Sequence, residues 1–123
     1  MSGKPVLERL QVKAARTIAV LAADGELDTA IGGADRRGSA GQADVVLVFL
    51  RSRADLRRQL GVLPATLRAD VILWIAYPKL TSKLAGDLNR DAIHGLVEQF
   101  GLSTVTQIAI DADWSAMRLR RHG

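Results

Sequence analysis

Three short apolar segments stand out in the hydrophobic pattern of the chain: residues 17–22 (TIAVLA), 44–50 (DVVLVFL) and 70–76 (DVILWIA). Each segment is largely continuous in its apolar residues, rich in Val, Ile and Leu, and about as long as a strand. Strands covered on both faces have this pattern, whereas strands with one face in water alternate apolar and polar residues. The three segments therefore predict the central parallel strands of an α/β sheet.

The segment after the second strand carries helix signals. Ser52 is a good N-cap, and Leu56 and Leu60 lie four residues apart, which places both on one face of a helix. Gly61 is expected to end this helix, because glycine often follows the last helical turn. Pro64 then suits the first position of a second, shorter helical turn.

The clearest helix of the chain is predicted after the third strand. Asn89 is suited to cap its beginning, and Gly101 stands where a left-handed residue closes a helix. Its inward face is expected to comprise residues spaced by three or four positions, namely Ile93, Leu96, Val97 and Phe100.

The end of the chain follows a different pattern. Two strand-like segments, 104–110 (TVTQIAI) and 114–120 (WSAMRLR), are separated by only three residues, which is far too short for a parallel crossover. They are therefore predicted to form an antiparallel hairpin. In its second strand, one face carries Ser115, Met117 and Leu119 and the other carries Arg118 and Arg120, an alternation typical of a strand near a sheet edge or beneath thin cover.

The remaining segments complete the predicted domain. Residues 5–12 predict a short amphipathic helix with Val6, Leu7 and Leu10 inward, and residues 24–43, which hold five glycines, predict a flexible segment with at most a short helix over 27–31. The sum is one α/β domain over residues 1–123, a three-layer Rossmann-like sandwich with a five-stranded, mostly parallel sheet. Numbered in chain order, its strands are expected in the order 1-2-3-5-4, closed by the C-terminal antiparallel hairpin.

Composition excludes several classes of protein. With 48% hydrophobic and 24% charged residues the chain has enough apolar surface to fold, and the absence of cysteine excludes disulfides, thiolate metal sites and a cysteine nucleophile. The chain has only two histidines, His94 and the penultimate His122, so a histidine-rich metal site or a Ser-His-Asp triad would rest on a single plausible candidate. No apolar run reaches the roughly 18 residues of a membrane span, and the beginning lacks a signal-like apolar stretch, so we expect a cytoplasmic protein.

The strand, helix and reversed strand pair at the end of the chain resemble the second half of the class I methyltransferase fold. The segment LQVKAARTIAVL is similar to the residues ahead of the first strand in those enzymes. They follow that strand with a Gly-x-Gly loop and place an acidic residue after the second strand, which together bind S-adenosylmethionine. Here the turn is Ala22-Ala23-Asp24-Gly25, with one glycine, and residues 24–43 replace the next two strands. The resemblance thus implies the fold without the cofactor motif.

A closer resemblance is to a family of small bacterial proteins of unknown function. The similar segments are Trp74-Ile75-Ala76-Tyr77-Pro78-Lys79, the Asp87-Leu88 helix entry, and Asp111-Ala112-Asp113-Trp114-Ser115. The likeness spans residues 5 to 120 and is most specific in the C-terminal half. It implies the same fold and a cytoplasmic location, and it implies no activity.

Ligands of open α/β sheets bind outside the carboxyl ends of the parallel strands, and this rim holds the candidate site. The hairpin turn emerges at the same edge, because the fourth strand runs parallel to the first three. We expect a hypothetical anion site formed by Arg51, Ser52, Arg53, Lys79, Asp111 and Trp114, with free N–H groups at the start of the Ser52 helix. The structural alternative is that Ser52 only caps, that Lys79 pairs with an aspartate of the turn, and that Trp114 packs on Pro78. Trp114 is expected to lie partly buried over Pro78.

Other candidate groups favour structural roles. Trp74 is expected in the core and His94 in solvent on the outer face of its helix. Asp111 and Asp113 could bind a metal or form an acid/base pair, but two carboxylates on one tight turn are typical of turn formers. The basic residues Arg57, Arg58, Arg118, Arg120, Arg121 and His122 could follow a phosphate backbone.

Three functions remain open. The leading hypothesis is a non-enzymatic Rossmann-like module, without a resident cofactor or metal, that binds a small anionic ligand or a protein partner at the rim. The first alternative is a degenerate methyltransferase that binds S-adenosylmethionine near Asp24 and Gly25. The second is a nucleic-acid accessory protein that uses the basic C-terminus, and the net charge of +4 permits such a partner without requiring one.

Overall fold

The computed structural model describes residues 6–13 and 16–121 of the chain. Five strands form one sheet in the order β1-β2-β3-β5-β4. The strands β1, β2 and β3 are parallel, and β5 runs antiparallel to both β3 and β4. The predicted α/β architecture and strand order are confirmed. The elements are α1 (Val6–Arg9), β1 (Ile18–Leu21), α2 (Gly25–Ile31), a 3-10 turn (Ala34–Arg36), β2 (Val45–Phe49), α3 (Arg53–Thr66), β3 (Ile72–Pro78), α4 (Arg90–Glu98), β4 (Leu102–Ala109) and β5 (Trp114–Arg121).

Two apolar clusters, one on each face of the sheet, form the core. On one face α3 and α4 bury Leu56 and Ile93 against the sheet, and on the other α1 and α2 contribute apolar residues such as Ile31. Every residue of β2 and β3 is buried as a result, which explains their continuous apolar sequences. Trp74 is fully buried as predicted, and its indole N–H donates to the carbonyl of Leu10 at 3.0 Å.

The helix α3 is one continuous helix, and the prediction that it ends at Gly61 was wrong. It runs through both Gly61 and Pro64. Its apolar stripe continues beyond the glycine to Leu63 and Leu67, which are both buried. Burying these two leucines favours continuation of the helix over the propensity cost of glycine and the hydrogen bond that proline cannot make.

The helix α4 begins as predicted but has a shorter inward face. The Asn89 side chain accepts a hydrogen bond from the Ala92 N–H at 2.9 Å, and Gly101 has a left-handed φ of 75°. Phe100 is 39% exposed, so the prediction of its burial was wrong. The helix ends at Glu98, and Phe100 lies in the following turn rather than on the helical stripe.

The glycine-rich segment 24–43 is more regular than predicted. The helix α2 begins at Gly25, and a 3-10 turn follows it. Arg37 ties the segment together, because its guanidinium forms an ion pair with Asp28 at 2.7 Å and donates to the Gly32 carbonyl at 2.9 Å. The backbone of Arg37 also forms a parallel bridge with Ile18 of β1.

The two ends of the chain agree with the predicted hairpin and, in part, with the predicted first helix. Met117 and Leu119 pack in the cluster beneath α3 and α4, and β4, not β5, forms the edge of the sheet. The first helix is shorter than predicted and covers Val6–Arg9, with Leu10 buried just after it. Pro5, the predicted beginning, lies outside the described residues. None of the helices within residues 6–13 and 16–121 is long and apolar enough to cross a membrane.

Candidate functional site

A cleft of about 230 Å³ lies at the carboxyl ends of β1 and β2. The chain leaves β1 towards α2 on one face of the sheet and leaves β2 towards α3 on the other. Two neighbouring parallel strands whose connections diverge in this way leave a crevice between them, which is where open α/β sheets bind ligands. The cleft is lined by Ala22, Asp24, Leu27, Phe49, Arg51, Asp55 and Trp114.

Trp114 forms one wall of the cleft. Its ring meets Phe49 edge to face, with centroids 5.0 Å apart and planes at 79°, which is a favoured geometry for an aromatic pair. The residue is only 3% exposed and pairs with Pro78 across the sheet. The strand register makes Pro78 the cross-strand neighbour of Trp114, as expected, whereas the expected partial burial was wrong, because the ring is packed against Phe49 and almost fully covered.

Arg51 lies over this aromatic wall. Its guanidinium carbon is 5.7 Å from the centre of the Trp114 ring, within range of a cation–π contact. Among the described residues Arg51 has neither a hydrogen bond nor an ion pair through its side chain. The ring holds the guanidinium in place and leaves its N–H donors available.

Both carboxylates of the cleft are already engaged. Asp24 caps α2, since its Oδ1 accepts from the Leu27 N–H at 2.8 Å. Asp55 lies in the first turn of α3 and forms an ion pair with Arg58 at 3.1 Å. Asp24 keeps its negative charge, because the backbone N–H binds only one of its oxygens, and Arg51 is the cation of the cleft whose side-chain donors have no acceptor within the described chain.

Ala22 adopts a backbone conformation that is unusual for its residue type. Its φ of 62° is in the left-handed region, where glycine fits without cost and other L-residues are uncommon. The residue follows β1 directly and lines the cleft. A strained conformation of this kind is often found at binding sites, where surrounding contacts hold it in place.

Side chains of the protein bind N–H groups at the N-terminus of α3. Ser52 caps the helix as predicted, accepting from the Asp55 N–H at 3.1 Å. The Arg53 N–H donates to the Asp87 carboxylate at 3.0 Å, and the Arg53 Nε donates to the Asp87 carbonyl at 2.8 Å. The expectation of free N–H groups here was wrong at Arg53, because a carboxylate from the loop before α4 already binds the positive end of the helix.

The hairpin turn uses its aspartates to hold the backbone. Asp111 Oδ1 accepts from the N–H groups of Asp113 and Trp114, both at 2.8 Å. Asp113 accepts from the Ser82 hydroxyl at 2.8 Å, and its carbonyl accepts from the Lys79 N–H at 2.8 Å. This is the turn-forming role, and the described residues include no cluster of three or more potential metal-ligating side chains.

The structure divides the six predicted site residues into three groups. Arg51 and Trp114 meet in the cleft, Ser52 and Arg53 lie at the base of α3, and Lys79 and Asp111 lie beside the hairpin turn. No ion pair joins Lys79 to either aspartate of the turn within the described residues. The sequence analysis missed the cleft positions of Phe49 and Asp55, although their places at the end of β2 and in the first turn of α3 were available signals.

Tyr77 brings a buried hydroxyl to the opposite face of the same rim. The residue is 3% exposed, and its hydroxyl has no hydrogen-bond partner of ordinary geometry within the described chain. Burial raises the pKa of Tyr77, and the opposing effects of the Arg90 charge and the Ser115 hydroxyl are weaker. The hydroxyl is therefore a neutral group at physiological pH.

Of the other basic candidates, His94, Arg118 and Arg121 form hydrogen bonds within the described chain. His94 is exposed as predicted, and its Nδ1 forms a hydrogen bond with the Thr104 hydroxyl. Arg118 donates to Gln11 Oε1 at 2.8 Å, and Arg121 donates to the Pro64 carbonyl. His122 lies outside the described residues.

The fold is Rossmann-like and similar to that of several methyltransferases of known structure. The mitomycin 7-O-methyltransferase MmcR superposes with a TM-score of 0.61 at 17% identity, over 94% of this chain and 53% of that enzyme. An O-methyltransferase family 2 protein from Planctomyces limnophilus gives 0.60 at 14% identity, over 94% and 56%. A ribosomal protein L11 methylase from Lactobacillus delbrueckii subsp. bulgaricus gives 0.59 at 10% identity, over 96% and 77%. The chain thus spans about half the length of the first two, and these likenesses define its fold.

The sequence comparison then gives the family. The chain belongs to the protein family of unknown function DUF3052, whose family model matches residues 12–123. No curated protein matches the sequence at a significant level. The resemblance to a family without an established activity and with a methyltransferase-like fold is thereby confirmed.

Proposed function

We propose that this protein is a non-enzymatic, cytoplasmic binding module that takes a small anionic ligand into the cleft at the carboxyl ends of β1 and β2. The observation that carries the proposal is Arg51, an exposed guanidinium in the cleft whose side chain has no hydrogen bond or ion pair within the described residues. Its donors match the oxygen pairs of a carboxylate or phosphate.

Two features support binding rather than catalysis in the cleft. Of its carboxylates, Asp24 is held by the backbone of α2 and Asp55 by Arg58, so neither is placed as a free general base. The other described lining residues are apolar or aromatic, apart from Arg51 itself. Such a cleft supplies shape and charge to a ligand without a group prepared for proton transfer.

The wider rim offers a second cation. Lys79 follows Pro78, the cross-strand partner of Trp114, and has no ion pair within the described residues. It would extend the anion site beyond Trp114, with Ser52 and Arg53 fixing the start of α3 and Asp111 fixing the turn. The alternative form of the proposal, for the case that no small anion binds, is a protein partner that contacts the same rim.

A thermal-shift screen with ADP, pyrophosphate and citrate tests the proposal. We expect at least one of these anions to raise the melting temperature of the wild-type protein and to leave that of Arg51→Gln unchanged. Arg57→Gln is the matched control, because Arg57 is an exposed arginine of α3 that does not line the cleft. Equal increases in melting temperature for Arg51→Gln and wild type would reject Arg51 as the anchor. No increase with any of the three anions would reject a small anionic ligand and favour a protein partner.

A second candidate is a degenerate methyltransferase that binds S-adenosylmethionine. It is favoured by Ala22, which holds a glycine-like conformation directly after β1. The residues present fit this cofactor poorly, however, because Ala22 lines the cleft at a position where the glycine loop of those enzymes would bring bare backbone to the cofactor, and α2 with its 3-10 turn replaces the expected strands. No methyl-transfer step is proposed. Equilibrium dialysis with labelled S-adenosylmethionine should show no binding at millimolar concentration, whereas saturable binding would favour this candidate.

A further inference from the structure

A second opening lies at the other end of the sheet, between the start of β3 and the end of β5. The pairing of these strands begins at Leu73 and Leu119, and the two strands are no longer paired beyond this point. The separation leaves a wedge-shaped cavity of about 200 Å³ that shares no lining residue with the cleft at Arg51. This wedge is a separate candidate site.

The inner part of the wedge is apolar. Leu73, Leu102 and Leu119 belong to the core cluster beneath α3 and α4, and the few accessible atoms they retain line this cavity together with Val71. Burying those atoms against the hydrocarbon part of a ligand would be favourable. The inner wall is therefore suited to a small apolar group.

The outer part of the wedge is basic. Arg118, Arg120 and Arg121 line it, and none of the three forms an ion pair with a carboxylate of the described residues. Arg118 and Arg121 donate to neutral oxygens, those of Gln11 and Pro64, which leaves their positive charges uncompensated. The Arg118 guanidinium itself lies on the α1 face of the sheet, where it donates to Gln11, so its Nε, which is buried without an acceptor in the described part of the chain, is not assigned to the wedge.

The one carboxylate of the wedge does not compete for these arginines. Asp70 accepts from Arg68 through both of its oxygens, at 3.0 Å from Nε and 2.8 Å from Nη2. This two-point pairing is the preferred geometry between a guanidinium and a carboxylate. The charge of Asp70 is thereby offset in part by Arg68, which also pairs with Asp44 and does not line the cavity.

We infer that the wedge binds a small organic oxyanion, whose carboxylate or phosphate group lies near Arg120 and Arg121 and whose apolar part lies against the leucines. The apolar wall favours an organic anion over inorganic phosphate. The described lining residues include no aromatic ring on which bases could stack, so a nucleic acid is the less suitable ligand.

Amide chemical shifts during a titration with hexanoate test this inference. We expect saturable shifts at residues 69–73 and 118–121 with hexanoate. The apparent affinity for hexanol or for inorganic phosphate should be at least about tenfold lower, because hexanol lacks the charged group and phosphate lacks the apolar part. Arg120→Gln should weaken hexanoate binding about tenfold, because it removes one charged donor from the wedge. Arg120 is exposed and its side chain has no hydrogen bond within the described residues, so this variant should fold normally.

Two further variants act as controls. Arg57→Gln and Arg51→Gln should both leave hexanoate binding at the wedge unchanged. Because Arg51 lines the cleft and not the wedge, the Arg51→Gln variant distinguishes binding at the wedge from binding at the cleft. Equal affinity for hexanoate and inorganic phosphate, equal affinity in wild type and Arg120→Gln, or no localised shifts would each overturn the inference. Binding of a duplex DNA at these residues with a steep salt dependence, in the absence of hexanoate binding, would also overturn it.

Discussion

Trp114 connects the stability of the fold to the candidate cleft at the scale of a single residue. Its ring packs on Phe49 and lies beneath Arg51, although these residues are far apart in sequence. The ring is nearly inaccessible, so a ligand would contact Arg51 above it rather than stack on its face. We therefore assign Trp114 a supporting role in the cleft.

Replacing Trp114 tests this role. Trp114→Ala should lower the free energy of unfolding by about 3–5 kcal/mol, because it removes a large packed ring and leaves a cavity. Trp114→Phe should lose less, since it keeps an aromatic ring against Phe49. Urea unfolding of both variants gives the comparison, and a loss below about 1 kcal/mol for the alanine variant would mean that the ring is not part of the core.

Removing the Tyr77 hydroxyl should affect stability in the opposite way to truncating Trp114. Its hydroxyl is buried and has no hydrogen-bond partner of ordinary geometry in the described chain, so it contributes a desolvation cost without a compensating bond. Tyr77→Phe should leave the free energy of unfolding unchanged or raise it by up to about 1 kcal/mol. A clear destabilisation in urea unfolding would show that the hydroxyl forms a stabilising contact.

At the scale of elements, α3 shows where local signals and tertiary packing disagree. Pro64 lies inside the helix and is less favourable there than alanine by up to about 3 kcal/mol. Pro64→Ala should therefore raise the free energy of unfolding by about 1 kcal/mol or more, because it restores a helical hydrogen bond to the Leu60 carbonyl. Thermal or urea unfolding tests this, with the exposed residue Ala65→Gly as a control that should act in the opposite direction. An unchanged or lower stability for Pro64→Ala would indicate that the proline ring packs productively at this position.

The same helix explains which parts of the fold could be predicted from the sequence. Strands β2 and β3 were predictable because burial on both faces requires continuous apolar residues, and the caps at Ser52 and Asn89 because they depend on local chemistry. The continuity of α3 could not be predicted, because the burial of Leu63 and Leu67 depends on packing against the sheet and has no local signal in the sequence. The antiparallel pairing of β4 with β5 followed from the short link between them.

The candidate site was predictable to a smaller extent. The proximity of Arg51 and Trp114 followed from the topology, since the ends of parallel strands and the hairpin turn share one edge. The Asp87 carboxylate at the start of α3 was not foreseen, because it comes from a loop whose path has no local signal. The engagement of Asp55 with Arg58 likewise depends on side-chain geometry.

At the scale of the whole molecule, we expect a charge network at the amino ends of β2 and β3 to contribute to acid stability. The pKa of Asp44 is lowered by the Thr17 backbone N–H and by Arg68, and that of Asp70 is lowered chiefly by Arg68. A carboxylate with a lowered folded-state pKa stabilises the fold above its unfolded pKa of about 3.9, and this contribution is lost as the pH falls through the folded value.

This network predicts the pH dependence of unfolding. The urea midpoint of the wild-type protein should fall between about pH 5 and pH 2. Asp44→Asn should lower the midpoint at pH 7 and reduce the loss on acidification. Asp91→Asn, at an exposed carboxylate without an ion pair in the described residues, should change neither quantity appreciably. Identical acid profiles for Asp44→Asn and wild type would contradict the role of the network.

The proposed small-anion site around Arg51 can be tested by amide chemical shifts of the isotope-labelled protein titrated with the anion that gives the largest thermal shift. We expect saturable shifts at residues 22–27 and 51–55, with smaller shifts at 77–83, and their loss in Arg51→Gln but not in Arg57→Gln. Saturable shifts that persist unchanged in Arg51→Gln, or that leave residues 22–27 and 51–55 unmoved, would contradict it.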